Sequence, residues 1–337
     1  MKRLTILAFL FGLFLASLLI AYSGAGDVLD AIADAGWATL AVVLARALAV
    51  AVDGLAWRSL FPVAMRPPGW LCVFLRWIRE AVNQLLPVAQ VGGDLIGARL
   101  LTFWGTEGAL AGAAVVSDLA IQATTQFAFA AVGLGLLVVL QGDSLLVRYA
   151  GGGMVIAAAA LAGFFIVQRR EGGRLVGALL RRAAGGREWL GVAAIERLYE
   201  RLGAIYANPR GVAASAAIHM AVWFFGAVEV WVALYAMGHP VSISEAIVIE
   251  SLGQAVRGAA FAVPGALGVQ EGGFIALCAL FGVPAGPALA LSLVKRVPDL
   301  VLGLPGLLAW QSLEGRRVFG RGERLAGGSA EPCTSGR

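Results

Sequence analysis

Two acidic residues stand out in this chain as side chains able to do chemistry, because each follows a proline at the same distance inside largely apolar sequence. Asp94 lies seven positions after Pro87, across Val88-Ala89-Gln90-Val91-Gly92-Gly93. Glu271 lies seven positions after Pro264, across Gly265-Ala266-Leu267-Gly268-Val269-Gln270. Arg79 precedes Pro87 by eight residues and Arg257 precedes Pro264 by seven. Proline removes a backbone donor and glycine relaxes the backbone, so Pro87, Gly92, Gly93, Pro264, Gly265 and Gly268 mark breaks between short helices. An acid that opens a new helix caps its free N–H groups and suits the positive dipole end. Alternatively, Asp94 and Glu271 bind a lipid headgroup or carry a proton. Arg79, Arg99 and Arg257 offer planar forks of donors suited to phosphate or polyol oxygens. Salt bridges to Glu80, Asp94 or Glu250 are their structural alternative.

Other charges sit at positions where a bilayer would make them costly, by about 2.5 to more than 10 kcal/mol each. Arg46 and Asp53 share one helical face, two turns apart, and fit either ion pairing or a cavity lining. Asp118 heads a polar stripe with Ser117, Gln122, Thr124, Thr125 and Gln126 that suits interhelical hydrogen bonds or a headgroup path. His219 and Glu229 suit a structural pair or a coupled proton site. Lys295, Arg296 and Asp299, around Pro298, interrupt the last apolar stretch and would close the cavity from its far side.

Several classes of function are disfavoured. Cys72, Cys278 and Cys333 are widely spaced, and His219 and His239 are the only histidines, which leaves no zinc-like spacing. No GxxxxGK[ST] motif occurs, so direct nucleotide drive and any bound cofactor are not expected. The net charge of +5 and pI near 9.5 could suggest nucleic acid, but the basic residues cluster between apolar stretches, as membrane topology requires.

The elements that must position these residues are membrane helices. Hydrophobic residues make up 59% of the 337-residue chain and charged ones 14%, against about one-quarter in soluble domains, and mean hydropathy is +0.82. The expected fold is all-α: a polytopic helical bundle of about six full spans with two inverted re-entrant hairpins. The spans fall at 4–22, 37–57, 108–140, 149–167, 213–237 and 285–311, each near the roughly 20 residues that cross a bilayer. Segment 4–22 reads as an uncleaved anchor, with a cleaved signal peptide as its alternative. Stretches 70–104 and 243–283 each read as two short helices around a Gly/Pro break, which survives at membrane depth only when shielded by protein.

Lys2, Arg3, Arg58 and Arg66, nine arginines in 168–210 and five in 312–337 all fall on one side under this topology. That side is the cytoplasm, with both termini in it. Segment 168–210, with Leu198, Leu202 and Ile205 at helical spacing beside Arg197 and Arg201, is expected to lie as a basic amphipathic helix on the anionic inner leaflet or to dock a partner. Residues 1–312 form the membrane domain and 313–337 a disordered tail.

The stretch from Asn83-Gln84-Leu85-Leu86-Pro87 through Gly92-Gly93-Asp94 to Arg99 resembles the first signature of the lysylphosphatidylglycerol synthase transmembrane-region family. Pro264-Gly265-Ala266-Leu267-Gly268-Val269-Gln270-Glu271-Gly272 resembles its second. The length and Arg-rich middle segment are most similar to the hopanoid-biosynthesis-associated members of HpnL type. The resemblance implies a flippase-like domain with two re-entrant helices, in the bacterial inner membrane, moving polar-headed lipids between leaflets. No aminoacyltransferase domain follows it, so lysyl transfer is not expected.

The expected function is therefore transbilayer movement of a polar-headed lipid, a hopanoid or related amphiphile, through a polar cavity between the hairpins. Substrate-binding or coupling roles fall to Asp94, Glu271, Arg79, Arg99, Arg257, Asp118 and Glu250. An intramembrane lipid-modifying enzyme is one alternative, lacking any recognisable nucleophile–base set. A scaffold for lipid-biosynthesis enzymes is another.

Overall fold

The computed structural model describes residues 25–86, 91–142, 145–168, 190–260, 263 and 266–327. Among them are ten α-helices and no strand: α1 (Ala25–Ser59), α2 (Gly69–Leu85), α3 (Gly92–Leu101), α4 (Gly108–Gln141), α5 (Leu145–Gln168), α6 (Leu190–Tyr206), α7 (Pro209–Ala236), α8 (Ile243–Ala259), α9 (Val269–Ala279) and α10 (Ala285–Gly327).

Four helical stretches are long and apolar enough to cross a membrane: Ala35–Ser59, Gly108–Gln141, Val147–Gln168 and Pro209–Ala236. They match four of the six expected spans. The stretch 285–311 lies inside α10 but is not among the four, and its Lys295, Arg296 and Asp299 lower its hydropathy. Segment 4–22 lies outside the described residues. Leu40, Leu44 and Leu48 on α1 and Leu300, Leu304 and Leu308 on α10 recur every fourth residue and are each more than half exposed. Such apolar stripes are rare on proteins bathed in water and natural against lipid tails.

The fold is an internal duplication. A long helix, a pair of short helices and a second long helix (α1, α2–α3, α4) recur as α7, α8–α9, α10. The short pairs match closely: 17 and 10 residues in the first copy, 17 and 11 in the second. At 1.5 Å per residue, none of these short helices covers the roughly 30 Å of a hydrocarbon core. The first break follows from Pro87: Leu86, just before it, adopts the extended backbone (φ −104°, ψ 148°) that a following proline favours.

The copies run in opposite directions. Along α1 and α7, Arg46 meets Glu229, Asp53 meets His219 and Ser59 meets Gly211, an antiparallel register. Equivalent helices then pack crosswise. Leu85 and Ala81 of α2 face Gly303 and Gly306 of α10, and Gln126 and Gly133 of α4 face Gln254 and Ser251 of α8. Each copy carries its own apolar cluster. One gathers Trp57, Phe61, Leu75, Ile78 and Leu101; the other gathers Leu234, Ile249, Phe274 and Leu291.

Glycine permits one of the closest helix approaches. A Cβ at Gly133 would run into the Ser251 side chain of α8, whereas one at Gly135 would meet nothing within 4 Å. Gly133→Leu is expected to destabilise the protein by about 1–3 kcal/mol or more, the usual scale of overpacking. Gly135→Leu should be silent, as thermal melts in detergent will show.

Two sequence expectations change. The apolar face of α6 is not presented to a leaflet: Leu202 and Ile205 are buried in the first apolar cluster, and Leu198 packs against Gly112 of α4. Apolar spacing alone does not distinguish lipid from a neighbouring helix, and here the helix is the partner. Residues 169–189 of that segment lie outside the described residues. The tail expected from 313 is helical as far as Gly327, as the end of α10, and residues 328–337 lie outside the described residues.

Candidate functional site

The site begins with one face of α2. Arg76, Arg79, Glu80, Asn83 and Gln84 recur at spacings of three and four, so they form a single polar stripe. Arg79 is its centre and is 1% exposed. Its Nε and Nη2 donate to Asp94 Oδ1 of α3 at 2.9 and 2.5 Å, and Nη2 also donates to Asp118 Oδ2 of α4 at 2.9 Å. The guanidinium stacks on the Trp57 ring of α1, 4.7 Å from its centroid. Gly97 leaves room for the arginine's aliphatic stem, which a Cβ there would strike.

One turn earlier, Arg76 Nη2 reaches Asp53 Oδ2 of α1 at 3.1 Å and Gln122 Oε1 at 3.2 Å, while Nη1 lies 3.5 Å from Asp118 Oδ2. His219 of α7 completes this group. Its Nδ1 lies 2.9 Å from Asp53 Oδ1 and its Nε2 lies 3.0 Å from Asp118 Oδ1.

The second copy carries its own network. Lys295 of α10, 1% exposed, lies between Glu250 of α8 at 2.9 Å and Glu229 of α7 at 3.3 Å. Arg46 of α1 approaches Glu229 at 3.8 Å. Glu271, at the start of α9, accepts from Arg296 Nε at 2.6 Å and from the Gly268 N–H at 2.6 Å.

The two networks meet where the ends of α2 and α8 converge. Arg257 donates to Gln84 Oε1 and lies 3.6 Å from Asp299, and Gln84 donates to Glu80 at 2.8 Å. Beside this contact is a recess of about 260 Å³, open mouth included, lined by Arg46, Trp77, Glu80, Gln84 and Asp299 among others. The recess is small, and its walls are tied by ion pairs of Glu80 with Arg76, Asp299 with Arg257 and Arg46 with Glu229. At the recess, Arg46 Nε is buried and faces no acceptor among the described residues.

The residues expected from sequence divide into those gathered here and those placed elsewhere. Arg79, Asp94 and Asp118 meet in the first network, Glu250 and Glu271 belong to the second, and Arg257 bridges the two. Arg99 does not join them: it is exposed and pairs with Glu314 at 3.0 Å. Pro87, Pro264 and Gly265 lie outside the described residues; Gly92 and Gly93 open α3, and Gly268 opens α9 with φ +78°. The capping geometry holds for Glu271, which takes the backbone N–H of Gly268 and also accepts from Arg296. It does not hold for Asp94, whose oxygens are taken by Arg79 and Asn83. Asn83 Oδ1 instead receives the Gly93 N–H at 2.7 Å. His219 and Glu229 do not pair with each other, and neither do Arg46 and Asp53. Lying two to three turns apart, each finds its partner on the opposing helix.

Arg76, Asn83 and Gln84 were not among the expected site residues. Their spacing from Arg79 was the available signal, and Glu250, Gln254 and Arg257 repeat the same stripe on α8.

A family model described as lysylphosphatidylglycerol synthase TM region matches residues 6–306. No curated protein and no solved structure matches the chain. Apolar helices long enough to span, buried ion pairs at their centre and this match over most of the length agree. The chain is a multi-pass membrane protein and belongs to the lysylphosphatidylglycerol synthase TM region family.

Proposed function

We propose that this protein moves a polar-headed lipid, a hopanoid or related amphiphile, between the leaflets of the bacterial cytoplasmic membrane, as an HpnL-type member of its family. The observation that carries this reading is the joint between the two inverted copies, where a dense ionic network links the two pairs of short helices to the long ones. A protein that served only as a scaffold would have no need to bury so many charges, each of them costly at membrane depth. Paired interrupted helices related by inversion are the arrangement in which many transporters hold substrates near the midplane. In this reading α2–α3 and α8–α9 are re-entrant hairpins entering from opposite faces, and both chain termini are cytoplasmic. Arg46, Arg257, Glu80 and Asp299 form the headgroup path once the closed contact of Gln84 with Arg257 opens. The protein is no enzyme in this reading: among the described residues, the buried acids are all engaged by cations or backbone.

The test is a leaflet-accessibility assay in reconstituted vesicles, run beside thermal melts. Asp94→Asn and Glu271→Gln keep side-chain shape while removing charge. Lipid movement is expected to fall at least tenfold in each. The Glu271→Gln melt should shift less than that of Lys295→Met, because the amide oxygen can still accept from the Gly268 N–H or the Arg296 Nε–H. Wild-type movement in both variants would defeat the reading.

A further inference from the structure

The geometry points to a proton-binding site, Asp53–His219–Asp118, at the joint between the two copies, and we infer that the proton it holds is coupled to the proposed lipid movement. Both ring nitrogens of His219 face carboxylate oxygens, at 2.9 and 3.0 Å. A nitrogen facing an oxygen at that distance needs a hydrogen between them. A neutral imidazole carries one N–H, so the triad holds one proton more than a neutral ring and two carboxylates would supply. Charge places it on the ring. Asp53, Asp94 and Asp118 stand against Arg76 and Arg79, and an imidazolium evens three against three. Glu80, a further partner of Arg76 at 3.6 Å, opens onto the recess.

The groups around α7 leave this assignment intact. Asp53 comes from α1, Asp118 from α4, and Arg76 and Arg79 reach those acids from α2. From α8 and α10, Glu250 and Lys295 lie further along α7, beside Gly226 and Glu229, and pair with each other. From α6, Arg201 pairs with Glu107. The triad is not arranged as a metal centre, and no group of three or more such ligands is, among the described residues.

Coupling follows from where the three residues belong. Asp53 and Asp118 sit on the first copy and His219 on the second, so any movement that parts the copies changes what the ring touches. With its proton, the ring attracts both acids and holds the copies together. Without it, one nitrogen lone pair faces a carboxylate, and the joint is pushed apart. Proton release and opening are then one event.

The experiment uses the full chain labelled with ¹⁵N-histidine, with the two ring signals assigned through His239→Gln. At about pH 7.5, a free histidine of ordinary pKa near 6.5 is mostly neutral. His219 is expected to show both nitrogens protonated there, and a neutral ring at that pH overturns the proton site. In a second arm, the protein is placed in phosphatidylethanolamine–phosphatidylglycerol vesicles carrying a fluorescent polar-headed hopanoid and an internal pH dye. Lipid movement is expected to change the internal pH, and His219→Gln to abolish that change. Movement without a pH change overturns the coupling while sparing the transport reading on which it rests. Absence of movement sinks that reading and the coupling with it, and leaves the proton site to be judged on the ring spectrum.

Discussion

Arg79→Met is expected to be among the most damaging single substitutions in this protein, destabilising it by about 3–5 kcal/mol, the scale on which breaking a buried ion pair is costly. One guanidinium serves Asp94 and Asp118 together, and both acids are buried. Methionine fills the space of the aliphatic stem beside Gly97 and Trp57, so lost packing contributes little. What remains is a buried Asp94 with only the neutral Asn83 as its partner among the described residues, and an Asp118 left to Arg76 and His219. Arg79→Lys should fall between, since an ammonium can neutralise the acids but cannot reproduce a fork that spans both. Arg99→Met provides the contrast: its pair with Glu314 is exposed, and such pairs contribute little. Yield of folded protein and the melting transition in detergent are the measurements. An Arg79→Met protein that melts with the wild type would show that the network does not hold the first copy together. Adding Asp94→Asn to Arg79→Met should recover part of the loss, because Asp94 is the acid that loses its cation, while Asp118 keeps Arg76 and His219.

Lys295→Met should have an effect of similar size through the second copy, again about 3–5 kcal/mol. Its ammonium lies between Glu229 and Glu250 on different helices, α7 and α8, and its loss leaves two buried acids facing each other. Arg46 is 3.8 Å from Glu229 and can compensate only that one. The double substitution Lys295→Met with Glu250→Gln is therefore expected to regain more than half of the stability lost, since Gln254 can still hydrogen-bond the residue at 250. A double-mutant cycle on melting measures this coupling. Simple additivity of the two single changes would show that Lys295 and Glu250 do not act as a pair.

The two networks are equivalent in place and opposite in part of their chemistry. Asp94 and Glu271 each occupy the third position of their short helix, yet the first is held by Arg79 of the preceding helix and the second closes its own cap. Asp118 and Lys295 occupy comparable places on α4 and α10 and carry opposite charge. The duplication thus supplies a symmetric frame and an asymmetric interior.

Much of this was legible in the sequence because it rests on local rules. The membrane class follows from apolar stretches of spanning length. The first break follows from a proline that denies Leu86 a helical backbone, and the repeat follows from the matched distance between proline and acid in both copies. The stripe from Arg76 to Gln84 was equally local, a spacing of three and four on one helix. What the sequence could not decide was the identity of each partner. Arg46 and Asp53 looked suited to each other, and so did His219 and Glu229, because residues along one helix share a face. The antiparallel crossing of α1 and α7 exchanges them instead, giving Arg46 to Glu229 and Asp53 to His219. The apolar face of α6 was visible as a pattern, yet only packing determined that α4, and not a lipid leaflet, covers it. Periodicity states that a face must be covered or a charge neutralised; the tertiary structure alone chooses what does so, because that choice depends on contacts between residues on different helices, far apart in the chain.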